Sequence, residues 1–275
     1  MSDLGISVVI STYNHPEWLQ KVLWSYECQT YKNFELVIAD DGSDETTKKC
    51  IDNFVKQVDL IVKHVWHKDD GFQKSKILNK ALLNCASDYV LFTDGDCIAR
   101  ADFLETHIHH RAPGFILSGG YFKLPMNISQ DISKDEIVSQ RCFDIDWLKL
   151  KGLRTSFKNN KITASGNFSK FLNAFTPTIA SWNGHNASGW KKDLLAVNGF
   201  DERMQYGGQD RELGERMFNN GIKSKQIRYS AICLHLDHSR GYMKPEMISK
   251  NKAIRETTKT MRLTATDFGI EKTKC

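Results

Sequence analysis

Asp94 and Asp96 stand one residue apart, with Gly95 between them, directly after the apolar run YVLFT at 89–93. A buried strand that ends in two carboxylates delivers both to one polar edge, and Gly95 lets the backbone turn there without a Cβ clash. Hard oxygen ligands of this kind suit Mn²⁺ or Mg²⁺, with water and substrate phosphates completing the shell. Asp and Gly are also ordinary turn residues, so the pair alone decides nothing. Two further polar clusters also follow short apolar runs: Thr12-Tyr13-Asn14 after ISVVIS (6–11), and Asp40-Asp41-Gly42-Ser43 after FELVIA (34–39).

These clusters need elements to hold them. Continuous apolar runs of this length read as parallel strands buried on both faces. Between them lie helical patterns. Pro16 opens one that carries Trp18, Leu19, Val22, Leu23 and Tyr26; Ser43 or Asp44 caps a second with Ile51, Phe54, Val55 and Val58; a third carries Ile77, Leu78, Ala81 and Leu82. LIVKHV (60–65) reads as a further strand. Alternating strands and helices predict an α/β fold with a mostly parallel central sheet flanked by helices. Ligands bind such sheets outside the carboxyl ends of the strands, where all three polar clusters fall.

The second half is less regular. Residues 125–180 read as an insertion with helical pieces, of which 168–175 (FSKFLNAF) is amphipathic. A helix is expected near 211–219, a short strand over 230–235, and a tail helix from 244 to about 261. His107, His109 and His110 fall on a helix after the second aspartate and read as surface residues.

Composition sets outer bounds. The chain has 275 residues, 40% of them hydrophobic, with 15 Phe and only 5 Pro, which excludes a linker-dominated or disordered chain. Thirty-eight Lys+Arg against 33 Asp+Glu give a net charge of +5. That suits anionic small molecules or an acidic surface, and no basic stripe with interleaved aromatics calls for nucleic acid. No apolar run approaches the ~20 residues of a bilayer span, and the N-terminus MSDLGISVVIS lacks a signal-peptide pattern. Seven scattered cysteines without a CxxC pair read as reduced thiols of a cytoplasmic protein.

VVISTYN, VIADDGS and FTDGD, in that order, resemble the family-2 glycosyltransferases with a GT-A nucleotide-diphospho-sugar-binding fold. The resemblance implies that Thr12 and Tyr13 contact the base, with Asn14 in the same loop. It implies that Asp41 reads the uracil or its ribose. Asp94, Gly95 and Asp96 match the DxD motif, with Asp96 the direct metal ligand and Asp94 on ribose or sugar. GFQKSKILNKAL resembles the family's Gly-rich loop and following helix, which puts Lys76 and Asn79 near the donor.

WNGHNASGWKKDLLAVNGFDERMQYGGQDREL resembles the acceptor-side segment of galactosyl- and N-acetylgalactosaminyltransferases of this fold. Asn186, Ser188, the NGFDE run at 198–202, Gly207 and Gly208 line up with it. Gln209 departs from the family's glutamate, which changes how an acceptor hydroxyl is held. Asp210 remains as the general base that takes the acceptor's proton. Tyr206 stands in for a sugar-stacking Trp, and Trp182 and Trp190 are further stacking candidates. His235 and His238 resemble the C-terminal metal ligands of galactosyltransferases, where a His precedes Ser-Arg, as in Ser239-Arg240. A mixed Asp and His shell favours Mn²⁺ over Mg²⁺. Residues three apart on a strand face opposite sides, so both histidines can ligate only if the chain turns.

The resemblance covers about 1–125, the nucleotide-sugar-binding half, and 180–240. Residues 126–275 then supply an insertion, the acceptor and catalytic-base half and the tail, in one continuous GT-A domain with a smaller acceptor-side subdomain. The expected activity is inverting, metal-dependent transfer of a hexose or N-acetylhexosamine from a UDP-sugar to a glycan or lipid-linked glycan, as in surface polysaccharide or lipopolysaccharide synthesis. A nucleotidyltransferase would need a Gly-rich basic loop after the first strand, where Thr12-Tyr13-Asn14-His15 stands. A non-catalytic carbohydrate-binding relative would lack the ligands or the base. Residues 147–175 mix Lys and Arg with Trp, Phe and Leu, a composition suited to peripheral contact with the inner membrane surface.

Overall fold

The computed structural model describes residues 4–239 and 244–272; Cys275 and Arg240 lie outside them. The first half runs β1 (Ile6–Thr12), α1 (Pro16–Glu27), β2 (Phe34–Asp40), α2 (Glu45–Val55), β3 (Ile61–Trp66), α3 (Lys74–Asn84) and β4 (Tyr89–Asp94). These strands pair in parallel in the order β3-β2-β1-β4. Every residue of β1 and β2 is buried, as strands covered by helices on both faces must be. Side chains alternate between two cores. Val8, Ile10, Leu36 and Ile38 face α1 and α2, while Val9, Val37, Val90 and Phe92 face Ile77, Leu78, Ala81 and Leu82 of α3.

Local chemistry sets the boundaries. Pro16 occupies the first turn of α1, where its missing N–H costs nothing. The Asp44 carboxylate accepts from the N–H groups of Thr46 and Thr47 and starts α2. β3 differs from the other strands of this half: it is one edge of the sheet, paired only with β2, and its residues are half-buried or exposed.

The second half runs β5 (Cys97–Ala99), α4 (Phe103–His110), β6 (Phe115–Ser118), β7 (Gly120–Lys123), α5 (Met126–Asp131), α6 (Lys134–Val138), α7 (Ile145–Leu150), α8 (Asn160–Thr163), α9 (Gly166–Phe175), β8 (Ala187–Trp190), α10 (Lys191–Ala196), α11 (Gln209–Asn219), β9 (Lys223–Gln226), β10 (Ile232–His235) and α12 (Pro245–Thr260). β8 lies antiparallel between β4 and β6, and β9 extends the sheet parallel to β6. A small second sheet, β5-β10-β7, stands beside the ends of the large one.

Two expectations change here. His107 is fully buried, not at the surface. Its Nδ1 lies 2.7 Å from Ser188 Oγ and its Nε2 2.9 Å from Asn186 Oδ1, so α4 is pinned to β8 through a satisfied imidazole. α9 is amphipathic, but Ser169 and Leu172 face inward while Phe168, Phe171 and Phe175 are exposed. The six described cysteines are free thiols.

Candidate functional site

The register aligns the strand ends. Thr12 pairs with Asp40 and Ser11 with Asp94, and the Gly95 N–H donates to Ser11 O at 2.7 Å. The three polar clusters therefore converge on one cleft of about 950 Å³, lined by Thr12, Tyr13, Asp41, Asp94, Gly95 and Asp96, and on its other side by Tyr206, Gly208, Gln209 and Asp210. Such a volume suits a ligand the size of a nucleotide-sugar.

Neighbouring aspartates in the second cluster do different work. Asp40 is sealed in the turn, accepting from the Ser43 N–H at 2.8 Å and lying 2.8 Å from His64 Nε2. Asp41 turns toward the cleft. Its carboxylate accepts from the Gln73 N–H at 3.0 Å and lies 2.8 Å from His67 Nε2. Burial raises the Asp41 pKa, and His67 and the Gln73 N–H counter only part of the rise. The Tyr13 hydroxyl donates to Asp69 at 3.1 Å above this corner. Asn14 is exposed in a left-handed conformation (φ 46°), and its side-chain oxygen accepts from the Asp44 N–H. It shapes the loop and is absent from the cleft lining.

Asp96 meets both C-terminal histidines. Its Oδ2 lies 3.0 Å from His238 Nε2 and 3.6 Å from His235 Nε2, and the ligand atoms of all three lie within 4.8 Å of one another. β10 ends at His235, so the chain is free to turn and bring His238 round to the same side. The two rings lie near parallel (15°). His235 Nδ1 is 2.7 Å from Leu236 O and His238 Nδ1 is 2.8 Å from Ser239 O. A carbonyl only accepts, so each Nδ1 carries a proton and each ring turns its Nε2 to Asp96. Three acceptors in such proximity need a cation or a proton among them. Two nitrogens and a carboxylate, each imidazole fixed by a backbone carbonyl, are a fitting donor set for a transition-series divalent cation. Burial works to raise the Asp96 pKa, but His238 and His235 outweigh it and hold the carboxyl well below its ordinary value.

Asp94 stands beside that cluster, with a carboxylate oxygen within 4.8 Å of one of those of Asp96. Its Oδ1 accepts from Ser11 Oγ at 2.8 Å and from Lys74 Nζ at 2.6 Å. Lys74 lies at the start of α3, and although burial works against its charge, Asp94, Asp210 and Asp96 together raise its pKa. It is the cation that the acidic end of the cleft is built around, and sequence reasoning passed over it for Lys76. The missed signal was helical spacing: Lys74 and Asn79 sit on faces of one helix that reach different neighbours. Lys76 is exposed and borders a small depression with His67 and Asp69. Asn79 is buried, donating to Phe200 O and accepting from the Phe200 N–H; it braces the loop at 198–202 and does not line the cleft.

Asp210 lies in the first turn of α11. Gly207 (φ 101°) and Gly208 (φ 93°) both adopt the left-handed region, which glycine enters without penalty, and they turn the chain into the helix. Opposite, a Cβ at Gly184 would stand only 2.9–3.0 Å from the two Asp210 oxygens, so only glycine fits there. Asp210 Oδ1 is buried without a hydrogen-bond partner. Burial raises the Asp210 pKa to about 6; Lys74 lowers it, Asp94 raises it, and the Gly184 backbone lowers it. A carboxyl that titrates near neutrality and lines a cleft can take a proton from a bound hydroxyl.

The remaining acceptor-side residues divide. Tyr206 lines the cleft, edge-on to Phe72 at 5.8 Å. Gln209 is nearly buried and accepts from the Gly207 N–H at 3.0 Å, so its side chain is committed to its own turn. Gly207 itself lies off the lining. Trp182 is fully buried against Phe92 at the cleft floor and offers no free ring face. Trp190 donates to Ala112 O and packs on Tyr89. Asn186 is buried, held by His107 and donating to Gly120 O and Ala231 O, so it ties β7 to β10 beneath the cleft. The NGFDE run is a latch: Asn198 donates to Thr266 O and Glu271 O, and Asp201 pairs with Arg203 and Thr266. His67, Lys74 and His185 also border these depressions; Lys74 and His185 lie within the two family-like segments that begin GFQKSK and WNGHN, and His67 lies outside both.

Comparison with known proteins bears on the sequence family and the fold. The family model for glycosyl transferase family 2 matches residues 7–114. The glycosyltransferase YfnE of Bacillus subtilis (strain 168) is 24% identical over 259 residues, covering 84% of this chain and 64% of the relative. The validoxylamine A glucosyltransferase of Streptomyces hygroscopicus subsp. jinggangensis (strain 5008) is 26% identical over 239 residues, covering 82% of this chain and 54% of the relative. The chain thus spans between about half and two thirds of the length of these curated relatives. Among solved structures, GalNAc-T7 with UDP, GalNAc and Mn²⁺ superposes with a TM-score of 0.64 at 14% identity, over 92% of this chain and 48% of that one; at that identity the likeness speaks to the fold. The likeness to glycosyl transferase family 2 thus lies in residues 7–114, and the chain shares the fold of the GT-A glycosyltransferases.

Proposed function

We propose that the protein transfers a hexose or N-acetylhexosamine from a UDP-sugar to a glycan hydroxyl, with inversion at the anomeric carbon. One observation carries this: the Asp96–His235–His238 cluster and Asp210 line a single cleft, with Lys74 paired to Asp94 beside them. Asp41, Tyr13 and Thr12 hold the nucleoside at the far corner. Asp96, His235 and His238 would hold a divalent cation, Mn²⁺ in preference to Mg²⁺, which neutralises charge on the departing diphosphate. Lys74 adds a fixed positive charge beside the same region. Asp210 accepts the acceptor hydroxyl's proton as that oxygen attacks the anomeric carbon. One displacement with the base on the acceptor side needs no covalent intermediate.

The GalNAc-T7 structure, solved with UDP, GalNAc and Mn²⁺, and the glucosyltransferase relative support a nucleotide-sugar donor. Surface polysaccharide or lipopolysaccharide synthesis on the cytoplasmic side is the setting we favour. Acceptor-independent hydrolysis of UDP-Gal, UDP-GalNAc, UDP-Glc and UDP-GlcNAc with Mn²⁺ or Mg²⁺ tests the proposal. We expect one donor to be cleaved in preference, faster with Mn²⁺. Hydrolysis of none under either cation would overturn it.

A further inference from the structure

Donor chemistry accounts for the acidic end of the cleft and leaves its basic wall without a role. Lys161 of α8 and Arg228, in the turn before β10, line the same cleft. Lys161 Nζ donates to Tyr121 O at 2.9 Å and stands 5.6 Å over the Tyr121 ring. The Tyr121 ring in turn touches His185 at 4.6 Å and His235 at 5.0 Å between centroids. Lys161 is therefore separated by one aromatic ring from the candidate metal cluster. Arg228 is aimed by packing: a Cβ at Gly120 would meet its Cγ at 3.0 Å, so the stem runs across a glycine that leaves room for it. Its Nη1 donates to Thr178 Oγ1 at 3.1 Å, while its buried Nε has no partner.

Several other cations have a carboxylate partner, while buried Lys21 is held by the carbonyls of Ser129 and Gln130. Lys74 pairs with Asp94, Arg203 with Asp201, Arg216 with Glu212 and Arg255 with Glu215. Among the described residues, no ion pair within 4.0 Å includes Lys161 or Arg228. Burial lowers the Lys161 pKa, and the Arg228 charge lowers it further. Two partly desolvated like charges without a counter-ion cost stability. A guanidinium fork beside an ammonium is also the arrangement that grips a planar carboxylate or a phosphate.

We infer that Arg228 and Lys161 form an anion subsite on the acceptor wall, and that the acceptor carries a carboxylate or a phosphate on the sugar unit held beyond Tyr121. This rests on the glycosyl-transfer proposal, because it takes the wall opposite the donor as the acceptor's. The donor's own phosphates have Lys74 and the Asp96 cluster to meet them.

The test is calorimetric titration of the full chain, saturated with UDP and Mn²⁺, with three probes: methyl glucoside, methyl glucuronide and methyl glucoside 6-phosphate. We expect at least one anionic probe to bind about tenfold or more tighter than the neutral one at low salt. Whether the carboxylate or the phosphate gains more identifies the source of the charge. The Arg228→Gln/Lys161→Met double variant should lose that preference and keep its affinity for UDP, which also reports that it folds. Arg228→Lys should keep part of the preference. A wild-type protein that does not distinguish the probes overturns the inference, as does a double variant that still does. Loss of UDP affinity in a folded double variant would assign the pair to the donor and overturn it equally. Absence of UDP-sugar hydrolysis in the wild type would count against the transfer proposal, while leaving the probe preference to be judged separately.

Discussion

Asp210 is a buried carboxyl whose ionisation costs the fold something, and that cost predicts behaviour. Its pKa rises from 3.8 to about 6, chiefly through burial. A base acts only when deprotonated, so kcat/KM should climb with pH through about 6 and fall about tenfold per unit below it. A rate that is flat from pH 5 to 8 would contradict the assignment. The stability effect has the opposite sense. A carboxyl with a folded pKa above its unfolded value stabilises the protein at low pH, and loses that contribution as pH rises from about 4 through about 6. Asp210→Asn removes the penalty, so at pH 7–8 the variant should be more stable by on the order of 2 kcal/mol while transfer falls by about 10²–10⁴. Thermal unfolding and turnover measured on the same sample check both signs together.

Helix α12 holds the turn before Asp210 in place. Asn251, fully buried, directs its Nδ2 at three carbonyls, those of Gln205, Tyr206 and Gly207, at 2.9–3.1 Å. An amide nitrogen has two hydrogens for these three acceptors, so the turn before Asp210 is gathered around a single donor. A buried Glu212–Arg216 pair, with Thr258 donating to Glu212, adds a second tie between α11 and α12. Asn251→Asp puts an acceptor where three acceptors converge. It should cost more than Asn251→Ala, which itself should cost on the order of 1–3 kcal/mol. For Asn251→Ala we expect kcat to fall with UDP affinity unchanged; equal stability and turnover in both variants would remove the clamp. None of this was legible in the sequence. Asn251 lies in a polar helical tail with no motif, and its role depends on a contact with residues 44 to 46 positions earlier. His107 escaped for the same reason, since a helix-borne histidine shows its partners only once β8 is placed. The strands were legible because a sheet covered on both faces demands unbroken apolar runs. The edge position of β3 was not, because pairing order is not written in one strand's composition.

Across the whole molecule, the strand ends that the sequence marked by three polar clusters do converge, and their alignment follows from parallel pairing. The acceptor-side motifs were legible as a pattern but divided on folding: Asp210 and Tyr206 line the cleft, while Asn186 and the NGFDE run brace it. The outer surface carries a further consequence. Phe168, Phe171 and Phe175 are exposed on α9, and Ile179 on the following loop is 88% exposed and also lines the cleft. With Lys158 and Lys170 nearby in sequence, this face suits an anionic membrane that presents a lipid-linked acceptor. Co-sedimentation with vesicles containing phosphatidylglycerol should exceed that with neutral vesicles, and Phe168→Ser/Phe171→Ser/Phe175→Ser should abolish it. Equal recovery with both vesicle types would remove the membrane contact.

In the proposed mechanism a cation site and a base share one cleft and can be separated by mutation. Calorimetric titration of UDP with and without Mn²⁺ tests that most directly. We predict Mn²⁺-dependent binding in the wild type, loss of that dependence in Asp96→Ala, and wild-type binding without turnover in Asp210→Asn. Unchanged Mn²⁺-dependent affinity in Asp96→Ala, or full turnover in Asp210→Asn, would contradict it.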